Sequence, residues 1–177
     1  EAVAALDALP TPAEAGVMPL TIAMYAFGFS NRPEEAVAYL EKHFDSLDDA
    51  VDLSLYDAGL WLPFAAAAYR DTGRMEDFHR ATELLDQAMQ PDRDLGATYY
   101  DVPWIESMLA ALRGDDDEAI RQLQIAVNAG MVSDTALRPA AFDTIRLDPR
   151  FKEIEVENTR RINEEREKLD LPQSSAM

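Results

Sequence analysis

The chain has no cysteine and only two histidines among its 177 residues. Without cysteine it can form no disulfide, no thiolate metal site and no cysteine nucleophile, and its redox compartment stays open. Basic residues are also scarce, since 16 Lys and Arg stand against 34 Asp and Glu and give a net charge of −18. Nucleic acids and acidic membrane surfaces attract basic proteins, so this balance argues against both as partners. A basic partner would be attracted, although strong acidity often serves only solubility.

Catalytic motifs are scarce as well. His43 and His79 stand far apart without metal-ligand spacing, and the seven glycines form no phosphate loop. No serine stands in a nucleophile elbow, and no spacing singles out an acid–base pair among the many carboxylates. We therefore predict no enzymatic activity, no metal site and no cofactor.

The longest uncharged run extends from Ala15 to Asn31. A membrane span is one interpretation, but spans take about 20 apolar residues, and this run is shorter and contains Pro19 and Gly28. We predict a buried helix here and no membrane span. Because the chain begins with Glu1 rather than Met, an upstream domain, a signal peptide or an anchor stays open, as do localisation and oligomeric state.

The clearest pattern is a helix–turn–helix unit between Leu109 and Val127. Gly114 supplies the left-handed conformation that closes a helix, and Asp115 with Glu118 is a capping signal for the next helix. Apolar residues then recur on one face of that helix; they are Ala119, Leu123 and Ala126.

Similar turns occur at Asn31 and Gly73, so the three turns are 42 and 41 residues apart, which indicates a repeat. After Gly73 the apolar triplet comes three residues late, which predicts a longer turn there. We predict repeat units at about 12–45, 58–90 and 99–130, a helix from Ser46 to about Tyr56, a linker at Gln90–Thr98 and a short helix within residues 1–9.

The unit resembles the tetratricopeptide repeat, whose second helix carries small, large and small apolar residues at this spacing after a Gly or Asn turn. The segment Ala141–Phe151 contains Phe-Asp-x-Ile-Arg-x-Asp-Pro-Arg-Phe. It is similar to the end of a bacterial subfamily in which such repeats follow a winged-helix regulator, a nucleotide cyclase or a kinase domain. The resemblance implies an all-α fold, a right-handed α-solenoid of about three hairpins plus a C-terminal helix. It would form one domain over residues 1–177, with a capping segment at 131–171.

The terminal helix has its own signals. Asp148 is a capping residue and Pro149 suits the first helical position. Apolar residues then form a thin seam along this helix; they are Phe151, Ile154, Ile162 and Leu169.

Stacked hairpins form a concave surface lined mainly by the first helix of each pair. Carried over by distance from each turn, the family's groove positions fall at Tyr25, Arg70, Asp101, Trp104 and Met108. The resemblance implies that a protein or peptide partner binds there. The alternative for Trp104 and Met108 is a place in the core, because an aromatic at helical spacing is more often buried.

Two functions remain open. The first is a protein- or peptide-binding interaction or scaffold domain within a larger bacterial regulatory protein. The alternative is a small-molecule-sensing regulatory domain coupled to an upstream effector domain. An enclosed apolar cleft with convergent polar groups would favour sensing, whereas an open groove with exposed aromatics would favour protein binding.

Overall fold

The computed structural model describes Leu6 and residues 9–133 and 135–173. Over these residues the fold is all-α, as predicted, and contains no strand. The short helix predicted within residues 1–9 falls largely outside the described residues. The α-helices are α1 (Pro12–Ala15), α2 (Val17–Phe29), α3 (Pro33–His43), α4 (Leu47–Asp52), α5 (Leu55–Asp71), α6 (Met75–Asp94), α7 (Asp101–Leu112), α8 (Asp116–Asn128) and α9 (Pro149–Lys168).

The chain divides into two compact units, Glu1–Leu95 and Gly96–Met177. The single domain over residues 1–177 stays a prediction. None of the helices in the described part of the chain combines the length and the apolar character that a membrane crossing requires.

Three helix pairs, α2–α3, α5–α6 and α7–α8, are joined by the same turn. Asn31, Gly73 and Gly114 have φ values of 52°, 74° and 77°, in the left-handed region that lets the chain leave a helix. In each case the following residue donates its backbone N–H to the carbonyl five residues earlier. The bonds are Arg32 to Phe27 (3.1 Å), Arg74 to Tyr69 (2.8 Å) and Asp115 to Ala110 (3.0 Å). The predicted turn residues are therefore confirmed.

The longer turn predicted at Gly73 is wrong. Helix α6 begins at Met75, two residues after the turn residue, just as α8 begins at Asp116 after Gly114. What differs is the residue that packs, because Phe78 is buried five residues after Gly73 where Ala119 is buried five residues after Gly114.

The first unit contains α1 to α6. Helix α5 packs against both α2 and α3 as well as α6. At the closest approach, a Cβ on Gly28 would overlap the ring of Phe64, so the absence of a side chain lets α2 and α5 meet. The end of α3 lies beside the turn between α5 and α6, where Glu41 pairs with Arg74.

Two boundaries in this unit differ from the sequence predictions. Ser46 caps α4 as expected, but α4 ends at Asp52 because Ser54 caps α5 through the N–H of Asp57. Helix α6 continues through Pro91 to Asp94, so the predicted linker at Gln90–Thr98 is wrong in its first half. Side-chain bonds hold this last turn, among them Gln90 Nε2 to Asp94 Oδ1 at 2.7 Å.

In the second unit, α9 runs parallel to α8. Arg150 at the start of α9 bonds to Asp117 at the start of α8 (2.8 Å), and Arg161 donates to the carbonyl of Val127 near the end of α8. A parallel neighbour needs a long crossover, which residues 129–148 supply. The cap at Asp148 is confirmed, since its Oδ1 accepts the N–H of Arg150 at 2.8 Å.

Residues of the segment Ala141–Phe151, which leads into α9, hold the crossover in place. The guanidinium of Arg146 donates to the carbonyl oxygens of three successive residues, and these are Leu137, Arg138 and Pro139. Phe142 and Phe151 are fully buried, with ring centroids 5.9 Å apart. The predicted seam is correct for Phe151, Ile154 and Ile162, which are buried. It is wrong for Leu169, which is 69% exposed because α9 ends one residue earlier.

Candidate functional site

Two of the five predicted groove residues lie in the first unit. Tyr25 is half-buried on α2, and its ring centroid lies 4.7 Å from that of Phe64 on α5. Arg70 is in the last turn of α5, where its Nε donates to Asp71 Oδ1 at 2.9 Å. Both side chains keep some exposed surface, so their part in binding stays a prediction.

The other three lie on α7 in the second unit. Trp104 is only 7% exposed and Met108 is fully buried. The indole N–H of Trp104 donates to the carbonyl of Ala136 at 2.8 Å, which ties α7 to the crossover. Asp101 is partly exposed, and burial raises the pKa of its carboxyl. Trp104 and Met108 thus occupy the positions that the core alternative describes, and neither offers surface to a partner.

Tyr25 also belongs to a second set of side chains, which forms an apolar surface on α2. We name it the α2 stripe, and it consists of Met18, Ile22, Tyr25 and Phe29. Spacings of four, three and four residues place these side chains on one face of the helix. Met18 is 61% and Ile22 is 43% exposed, whereas Tyr25 and Phe29 are half-buried against Phe64.

The sequence contained a signal for this stripe. Helix α2 is apolar on every side, because no residue from Ala15 to Asn31 is charged. A helix that is apolar all round is normally buried all round, yet α2 buries one side against its neighbours and leaves Met18 and Ile22 in solvent. The uncharged run predicted the buried helix and the family's groove spacing pointed to Tyr25, but neither pattern indicated Met18 or Ile22.

The first unit also contains a cavity of about 570 Å³ beside α3, which we name the α3 cavity. It is lined by Leu6, Leu9, Pro10, Thr11, Phe27, Arg32, Glu35, Ala38, Tyr39, Lys42 and His43. The rings of Phe27, Tyr39 and His43 follow one another, with centroids 5.9 Å and 4.6 Å apart. Desolvation, with the nearby charge of Lys42, lowers the pKa of His43 below its usual value.

A second, smaller cavity lies where α3, α5 and α6 meet. It measures about 120 Å³ and is bordered by Glu41, Tyr69, Arg74 and Asp77 among others. Arg74 pairs with both carboxylates and lies 5.5 Å from the Tyr69 ring centroid. Burial, together with the charge of Asp77, raises the pKa of Tyr69 to about 12, so the phenol stays protonated. This cluster joins the helices by ion pairs.

Across the described ranges, His, Asp and Glu side chains nowhere gather in a group of three suited to a metal ion.

No family model matches the chain, and no curated protein or solved structure is significantly similar to it.

Proposed function

We propose that this chain is a protein- or peptide-binding module, built as a right-handed solenoid of helix hairpins within a larger bacterial regulatory protein. The repeated turn at Asn31, Gly73 and Gly114 supports the repeat architecture, because three similar backbone arrangements recur at a nearly constant interval. The Phe-Asp-x-Ile-Arg ending, through its resemblance, supports the regulatory context.

The α2 stripe is the observation that carries the proposal. Its exposed side chains, Met18 and Ile22, continue directly into the half-buried rings of Tyr25 and Phe29. Contiguous exposed apolar surface of this kind marks interaction sites. Full burial of a Met or Ile side chain contributes about 1.5–3 kcal/mol, so two such residues can anchor a partner segment.

Charge indicates the chemistry of that partner. The stripe is uncharged, while the chain that carries it has a net charge of −18. A segment that presents apolar side chains flanked by Lys or Arg would bury the apolar residues on the stripe and be attracted by the surrounding field. The partner is therefore a basic amphipathic segment of another protein.

Selection from a random peptide library displayed on phage tests this proposal. We expect the wild-type chain to enrich peptides that combine apolar and basic residues. The double variant Met18→Asp/Ile22→Asp should lose these peptides, because two carboxylates would replace the apolar anchors. Individual peptides, resynthesised, should bind the variant at least about tenfold more weakly by calorimetry, since 1.4 kcal/mol is a factor of ten.

The matched control is Val156→Asp/Leu169→Asp, on α9 and immediately after it, which adds the same two charges at residues that are 63% and 69% exposed. This variant should keep the selected peptides. Enrichment of the same peptides by all three proteins, or of none by the wild type, would contradict the assignment of the stripe.

A further inference from the structure

The α3 cavity differs in charge from the rest of the chain. Acidic residues outnumber basic ones 34 to 16 overall, yet among the described residues the lining of this cavity contains Arg32, Lys42 and His43 and one carboxylate, that of Glu35. We propose that the α3 cavity binds an amphipathic small anion, an apolar body ending in one carboxylate-type headgroup. This site is separate from the α2 stripe and does not depend on the proposed partner binding.

Lys42 and His43 lie in the last turn of α3, at the opposite end of the helix from Arg32, and supply hydrogen-bond donors to the cavity. Arg32 is paired with Glu35, which neutralises the one carboxylate among the described lining residues. Lys42 and His43 form no hydrogen bond or ion pair with any residue that the structure describes. An ammonium group and an imidazole on adjacent residues can therefore both donate to one bound carboxylate. Such charge-assisted bonds are about twice as strong as neutral ones.

The remainder of the lining suits an apolar body. Apolar surface comes from Leu9 and Pro10 and from the rings of Phe27 and Tyr39, whose centroids are 5.9 Å apart. The volume of about 570 Å³ lies within the roughly 300–1,000 Å³ of small-molecule sites. An apolar lining with a few convergent polar groups is the composition of such sites.

The charges of the described lining residues disfavour a cationic ligand. An amine would meet Lys42 and Arg32 and, among the lining residues that the structure describes, no unpaired carboxylate, because Glu35 is already bonded to Arg32. A neutral amphiphile would make the apolar contacts but would form no charge-assisted bond with the Lys42 ammonium. The headgroup is therefore the part of the ligand that the cavity selects.

Titration with sodium decanoate, followed by NMR of the histidine side chains, tests the proposal. The chain has only two histidines, so its imidazole spectrum reports on the cavity through His43 and on an internal reference through His79 on α6. We expect decanoate to bind at one site and to shift the His43 resonances while those of His79 stay in place. Decyl phosphate distinguishes a general anion site from one that prefers carboxylates, and both results support the proposal.

1-Decanol and decyltrimethylammonium are the ligand controls, since they keep the chain length and change the headgroup. Both should bind at least about tenfold more weakly than decanoate, which is the effect of losing one charge-assisted bond. Equal binding of decanol and decanoate would mean apolar partitioning and would overturn the proposal. Shifts at His79 alone, or no saturable binding, would overturn it as well.

Two variants complete the test. Lys42→Gln should weaken decanoate binding at least about tenfold, whereas Lys168→Gln, an equal charge change near the end of α9, should not. Ala38→Trp should fill the cavity and abolish the His43 shift, because Ala38 lines it and is exposed. Full affinity in both Lys42→Gln and Ala38→Trp would place decanoate elsewhere and refute the site.

Discussion

Replacing Trp104 by alanine distinguishes a core residue from a binding anchor. The side chain is 7% exposed, and its indole N–H donates to the carbonyl of Ala136 at 2.8 Å. Truncating a buried Trp costs about 3–5 kcal/mol, and part of that loss is the Ala136 carbonyl left without its donor. For a chain of this length each kcal/mol lowers Tm by about 2–4 °C. Trp104→Ala should therefore lower Tm by about 6–20 °C, measured by circular dichroism.

A graded series isolates the cause of that loss. Trp104→Phe keeps an aromatic ring but removes the donor, so it should lose less than the alanine variant and still more than about 1 kcal/mol. Tyr100→Ala is the control, because Tyr100 is 43% exposed immediately before the same helix and its loss should stay within about 0.5 kcal/mol. If Trp104→Ala unfolded at the wild-type temperature, Trp104 would not be a core residue.

Three further changes test other parts of the fold. Gly28→Ala should cost about 1–3 kcal/mol by urea unfolding, because the added Cβ would overlap Phe64; a gain in stability would show that α2 and α5 do not meet there. Arg146→Ala should cost about 1.5–3 kcal/mol, since its guanidinium binds three carbonyls of the crossover; an unchanged urea midpoint would refute this. Burial raises the pKa of Asp101, so its ionisation destabilises the fold as pH rises through that pKa. Asp101→Asn should therefore gain stability relative to wild type between about pH 3 and pH 7, and a loss over that range in urea unfolding would contradict the sign.

The predictable parts of this molecule depend on neighbouring residues in the sequence. A positive φ ends the first helix of each pair at Asn31, Gly73 and Gly114. Whether a residue adopts a positive φ depends on its own type and the adjoining backbone, so this can be read from the sequence. Asp115 and Asp148 cap their helices for a similar reason, since the bonded N–H lies two or three residues away. From these signals and the helical spacing of apolar residues, the all-α fold and the positions of the three turns follow without knowledge of tertiary contacts.

The parts that could not be predicted depend on which face of each helix packs against another element. Trp104 and Ile22 both stand at helical spacing in apolar helices, and nothing local shows that the first is buried and the second exposed. The α3 cavity likewise requires Pro10 and Lys42 to meet across a gap of more than thirty residues. The linker predicted at Gln90–Thr98 placed a helix end before Pro91, but bonds between neighbouring side chains hold α6 together for one further turn.

The two proposed sites share helix α2 but lie on opposite sides of it. Phe27 lines the cavity and stands nine residues after Met18, which is two and a half turns at about 3.6 residues per turn. Ile22→Asp should therefore leave decanoate binding unchanged, because the new carboxylate faces away from Lys42. Conversely, decanoate can alter peptide affinity only if it favours one position of α2 over another. Peptide titrations with and without saturating decanoate measure that coupling, and equal affinities would show two independent sites on a rigid helix.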